Sequence, residues 1–108
     1  MKFDMQSMLE KAQQMQQEME RVKREIASKK VTEESGGGMV QVTVNGSFEI
    51  LSIKISKEVV NQNDIEMLED LILAAVNKAI HSTQDLASEE MKKVTGMIPN
   101  IPGFNFNI

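Results

Sequence analysis

A chain of 108 residues suffices for one small domain and is too short for two. Its 41% apolar and 26% charged residues are an ordinary folded composition, and no apolar run approaches the roughly 20 residues of a bilayer span. The absence of cysteine excludes disulfides, cysteine–zinc sites and thiol catalysis, and a formal charge of -4 argues against a polyanionic partner unless positive charge is clustered locally.

Met1 leads directly into an amphipathic segment, with no signal-peptide hydrophobic region. Met5, Met8, Ala12, Met15, Met19, Val22 and Ile26 alternate spacings of three and four, a heptad seam among Gln, Glu, Lys and Arg. This predicts one helix over 4–27, capped by Asp4 or Ser7. The methionines could form a plastic binding stripe. Their alignment on one line favours a core seam instead, too long for the rest of one chain to cover. A partner helix, from a second copy, is expected.

Lys29 to Glu34 reads as a short edge strand around Val31 and Thr32. Ser35-Gly36-Gly37-Gly38 lacks the following Lys-Ser/Thr and helix of a phosphate loop, and so reads as a turn between strands. Val40, Val42 and Val44 alternate on one face, and Asn45-Gly46 predicts a two-residue hairpin turn. In that register Val44 opposes Ser47, Val42 opposes Glu49 and Val40 opposes Leu51. Leu51, Ile53 and Ile55 then continue the valine face. Phe48 and Ile50 fall on the other face, forming an apolar patch suited to subunit contact unless a bulge re-aims them.

Residues 56–63 connect to a second long helix capped by Asp64, with Glu66, Glu69 and Asp70 near its positive end. From Ile65 to Ile80, including Leu68, Ile72 and Val76, this helix is apolar almost all round, which predicts burial on several faces. Gly96 ends it. The expected fold is α+β: a long N-terminal helix, a short antiparallel sheet of two or three strands with the Asn-Gly hairpin, and a long C-terminal helix. Residues 1–95 form this single domain, and 96–108 an irregular apolar tail with Pro99, Pro102, Phe104 and Phe106. The far ends of both helices are expected to project as arms.

Chemistry-bearing groups are sparse. His81 has Asp85 four residues on, a common surface pairing without a nucleophile. Glu66, Glu69 and Asp70 lack the further ligands of a metal site. No catalytic residue, metal or cofactor is expected. The basic residues are more distinctive: Arg21, Lys23, Arg24, Lys29 and Lys30 are interrupted by the acidic Glu25 alone. Segment 1–30 has seven basic against five acidic residues, and segment 57–95 four against eight. Charge alone favours a solvated helical face, with Lys29, Lys30, Lys92 and Lys93 complementing helix C-termini.

The stretch Val31-Thr-Glu-Glu-Ser-Gly-Gly-Gly-Met-Val-Gln-Val-Thr-Val-Asn-Gly46, followed by Glu66-Met-Leu-Glu-Asp-Leu-Ile-Leu-Ala-Ala-Val-Asn-Lys-Ala79, resembles the YbaB/EbfC family of bacterial nucleoid-associated proteins. The opening Met8-Leu-Glu-Lys-Ala-Gln-Gln-Met15 and Pro102-Gly-Phe104 fit the same pattern, so the likeness spans essentially the whole chain. The resemblance implies a tweezer-like homodimer, joined through the sheet region, that binds double-stranded DNA with little sequence preference. It also implies a cytoplasmic, nucleoid-associated location, no membrane, no catalytic centre, and a link to replication and recombinational-repair proteins. No short motif fixes the DNA contacts. By position and charge they are assigned to Lys2, Lys11, Lys92 and Lys93 at the arm tips, with Arg21, Lys23 and Arg24 next. Met5, Met8, Met15, Met19, Val22, Phe48, Ile50, Leu68, Ile72 and Val76 are assigned to core and dimer contacts. The alternative is an acidic dimeric adaptor for a protein partner of the replication or repair machinery.

Overall fold

The computed structural model describes residues 4–95. The elements are α1 (Met5–Ser28), β1 (Lys30–Ser35), β2 (Val40–Asn45), β3 (Ile50–Ile55), a 3-10 turn (Lys57–Val59) and α2 (Ile65–Thr95). The strands form one antiparallel sheet in the order β1-β2-β3. This is the α+β helix–sheet–helix arrangement expected from the pattern. Lys2 and the tail at 96–108, with Phe104 and Phe106, lie outside the described residues. The molecule is 75 Å long with a radius of gyration of 20.8 Å, against about 13 Å for a compact chain of similar size, because both helices outrun the small sheet.

Side-chain caps set both helix starts. Asp4 Oδ1 accepts from the Gln6 backbone N–H at 3.1 Å, and Asp64 Oδ1 from that of Met67 at 3.1 Å. α2 crosses β1 and β2. Val40, Val42 and Val44 are fully buried against Ala75 and Ala79, whose small side chains let the helix approach closely, with Leu68, Leu71, Ile72 and Val76 around them. The Thr83 hydroxyl, also buried, donates to the Ala79 carbonyl at 2.8 Å, so it brings no unsatisfied polar group into the core. A second cluster joins the helices: Val22, Ile26 and Val94 are buried, with Met19, Ala87 and Met91 packed on them. The seam of α1 is therefore divided. Its Met19–Ile26 end is covered by α2 of the same chain, whereas Met5 and Met8 are 76% and 55% exposed.

The turns show what the glycines do. Gly36, Gly37 and Gly38 all have positive φ, a left-handed run that other residues resist, and they carry the chain from β1 into β2. The second hairpin differs from the two-residue turn that Asn45-Gly46 predicts. Asn45 N–H donates to the Glu49 carbonyl and Phe48 N–H to the Asn45 carbonyl, both at 3.0 Å, and Phe48 rather than Gly46 takes the left-handed conformation. The loop is thus longer and the register moves: Val40 pairs Ile55, Val42 pairs Ile53, and Val44 pairs Ile50. A bulge after Thr43 leaves Leu51 as the extra residue of β3. Ile53 and Ile55 share the valine face as expected, but Ile50 joins them instead of lying on the opposite face.

Gly46 is glycine because of a close approach. Its N–H donates to the Lys29 carbonyl at 3.0 Å, and a Cβ there would lie 1.7 Å from the Ile26 carbonyl oxygen at the end of α1. The hairpin is pressed onto the α1 terminus. Gly46→Ala is expected to destabilise the fold by at least about 2 kcal/mol, read as a lower urea midpoint at unchanged slope. An unchanged midpoint would mean that this contact is absent in solution.

Candidate nucleic-acid interface

The basic residues divide into those held by carboxylates of the same chain and those left open. On α1 the Arg21 guanidinium lies between Glu18, one turn before it, and Glu25, one turn after it, and is hydrogen-bonded to both. The paired guanidinium holds the Glu18 carboxyl below its ordinary range, and the carboxylates push Arg21 still higher. Where the end of α1 meets the last turns of α2, Lys29 Nζ donates to Glu90 Oε1 at 2.7 Å and Lys93 Nζ to the same oxygen at 3.3 Å. Glu90 is 13% exposed, and hydrogen bonding from Lys29, then from Lys93, lowers its pKa. Glu18 and Glu90 therefore stay ionised through the neutral range, and acidification removes the charge that the pairs depend on. Lys29 thus ties the end of α1 to α2, beyond the helix-end role expected from its position.

Lys11, Lys23 and Arg24 are exposed and join no ion pair among the described residues. Helical geometry places Gln13, Gln17 and Arg24 on the side of α1 away from the α2 contact, an exposed polar stripe. Lys92 and Lys93 are exposed in the last turn of α2. The cations assigned from sequence therefore do not form one equivalent set. Arg21 and Lys93 are engaged within the chain, whereas Lys11, Lys23 and Arg24 are open. The spacing of Glu18 and Glu25 around Arg21 signals the first pairing in the sequence. Nothing local signals Lys29 with Glu90, which the fold brings together across 61 positions.

The sheet presents a second surface. α2 covers β1 and β2, and β3 remains at the edge with Ile50, Leu51, Ile53 and Ile55 each 39–48% exposed. The opposite edge is polar. On β1 the Ser35 hydroxyl donates to the Leu71 carbonyl at 2.6 Å, and Glu33 accepts from Ser82 at 2.9 Å. Phe48 is 48% exposed at the hairpin tip, and Val60, Ile65 and Leu73 are also exposed. Of the apolar positions assigned to core and dimer, Val22 is buried, Met19, Leu68, Ile72 and Val76 pack on buried clusters, and Phe48, Ile50, Met5 and Met8 are exposed. Met15 is half-buried. His81 is exposed on α2, and among the described residues no group of three or more His, Asp or Glu is placed to hold a metal ion. None of the described helices is long and apolar enough to cross a membrane.

Comparison with known proteins places this architecture. A nucleoid-associated protein of Caldanaerobacter subterraneus subsp. tengcongensis is 46% identical over 94% of this chain and 90% of its own length. One of Thermoanaerobacter pseudethanolicus is 45% identical over the same shares. Among solved structures, an uncharacterized protein from Helicobacter pylori shares the fold, with a TM-score of 0.75 at 21% identity, covering 88% of this chain and 100% of that one. The sequence profile of the YbaB/EbfC DNA-binding family matches residues 1–98, and with this coverage the chain belongs to that family.

Proposed function

We propose that the protein is a nucleoid-associated protein that binds double-stranded DNA as a homodimer with little sequence preference. Family membership carries this reading. The open cations on α1 support it, since they offer phosphate contacts without any group arranged to read bases. In this reading Lys11, Lys23 and Arg24 are the principal contacts on each protomer. Lys2 and Lys92 add to them, and Arg21 and Lys93 contribute less, because a phosphate there must displace Glu18 and Glu25, or Glu90. The dimer forms through β3. That edge carries isoleucines beside unpaired backbone groups, whereas β1 carries Lys30, Glu33 and Glu34, the charged side chains that discourage edge pairing. With few aromatic residues, single strands are not preferred. The protein works in the cytoplasm, on the nucleoid, and catalyses no reaction.

The three principal contacts on each protomer give about six phosphate contacts per dimer. Affinity for a random-sequence duplex should therefore fall roughly a thousandfold between about 50 and 200 mM salt. Fluorescence anisotropy measures this, and a flat salt response would contradict phosphate-based binding. Reversing Lys23 and Arg24 to Glu should weaken binding at least tenfold, whereas Arg21→Gln should change it less than threefold. Equal effects would mean that the Glu18–Arg21–Glu25 pairing opens freely. The net charge of -4 and the internal pairing of Arg21 and Lys93 favour a second reading, an acidic adaptor for a replication or repair protein. No duplex binding even at the lowest salt, together with capture of a partner that survives nuclease, would establish it instead.

A further inference from the structure

Among the described residues, α1 is held near its C-terminal end. Val22 and Ile26 pack on Val94 of α2, the Gly46 N–H donates to the Lys29 carbonyl, and Lys29 Nζ reaches Glu90, one turn before Val94. Residues 4–14 are exposed throughout. The helix is therefore a lever fixed at one end. Lys11 stands about 27 Å along it from Lys29. A tilt of about 15° at the joint moves Lys11 by about 7 Å, more than the reach of a hydrogen bond. The pairs Glu18–Arg21, Arg21–Glu25 and Glu90–Lys93 each stay within one helix, whereas Lys29–Glu90 joins two. An apolar patch of a few side chains in the last turns of α1 leaves a helix free to pivot. A second attachment at Lys29, beyond Ile26, stops the pivot.

We propose that Glu90 is a positioning residue for duplex binding: by holding Lys29 it sets the direction of α1, and so the placement of Lys11, Lys23 and Arg24. The inference rests on the DNA-binding reading above and deepens it. It assigns an acidic side chain, 13% exposed, a favourable part in the capture of a polyanion. The expected effect of removing it is opposite in sign to that of bulk electrostatics. Glu90→Gln deletes a negative charge and releases both Lys29 and Lys93. Charge alone would then strengthen binding to DNA. Loss of the joint weakens it instead, because a loose arm must be ordered again on the duplex, and that ordering costs affinity.

Duplex affinity of the unmodified protein, Glu90→Gln and Glu89→Gln, measured by fluorescence anisotropy at one salt concentration, tests this. Glu89 is the exposed neighbour, joins no ion pair among the described residues, and its substitution changes the net charge equally. Glu89→Gln should bind as tightly as the unmodified protein or up to about threefold more tightly, and Glu90→Gln at least roughly fivefold more weakly. Equal or tighter binding by Glu90→Gln would overturn the proposal. A second reading needs no DNA. The chain has no cysteine, so spin labels on Gln13→Cys and Asp85→Cys, diluted with unlabelled protein, report the separation of α1 and α2 within one chain. The distance distribution should broaden in Glu90→Gln while helix content by circular dichroism is kept. A distribution as narrow as that of the unmodified sequence would overturn the proposal. Should Glu90→Gln lose helix content, Glu90→Asp, which keeps the charge and shortens the reach, decides by the same two readings. If neither the unmodified protein nor Glu89→Gln binds duplex, the DNA-binding reading fails, and the distance distribution alone decides whether Glu90 sets the direction of α1.

Discussion

One helix covers two of three strands, and most of what is distinctive in this protein follows from that shortfall. α2 lies over β1 and β2 because Ala75 and Ala79 allow it to approach Val40, Val42 and Val44, and because Ser35 and Glu33 on β1 bind it by hydrogen bonds. β3 is then left with its isoleucines at the edge of the sheet. They share the valine face, so they have the sequence character of core residues without the cover of core residues. A chain that alternates so strongly toward one face and then leaves part of it exposed is built for completion by another surface. In the proposed dimer that surface is the β3 edge of a second copy, since the β1 edge is charged.

The same frugality governs charge. The chain is acidic, yet its basic residues are concentrated toward the N-terminal helix, and several are neutralised by carboxylates on α1 or α2. Lys29 with Glu90 fastens the two helices at their common root, where Gly46 is also pressed against the end of α1. Charge pairing is therefore largely structural at the root, and Lys11, Lys23 and Arg24 along α1 carry open positive charge. Local clustering of this kind is what an acidic protein needs in order to meet a polyanionic ligand against its repulsive mean field.

Much of this was legible in the sequence. Asp4 and Asp64 mark both helix starts, and the alternating valines mark β2 and its buried face. The second hairpin departs from the tight turn for a specific reason. Asn45-Gly46 carries the signature of a tight turn, but Gly46 is there to admit the Ile26 carbonyl, and a contact between residues 20 positions apart leaves no local trace. Once Phe48 takes the left-handed position, the loop lengthens and Leu51 becomes a bulge, which moves Ile50 to the valine face. The α1 seam shows a similar limit. Its period is evident from Met5 to Ile26, but where α2 ends along it is set by the tertiary fold. DNA as the partner was legible through family resemblance and not through charge.

The central claim is that a lone protomer is incomplete. Sedimentation equilibrium of the unmodified protein from about 1 to 100 μM tests it most directly. The account predicts a species of twice the 12.1 kDa chain mass throughout this range. A folded single-chain species at those concentrations would contradict it.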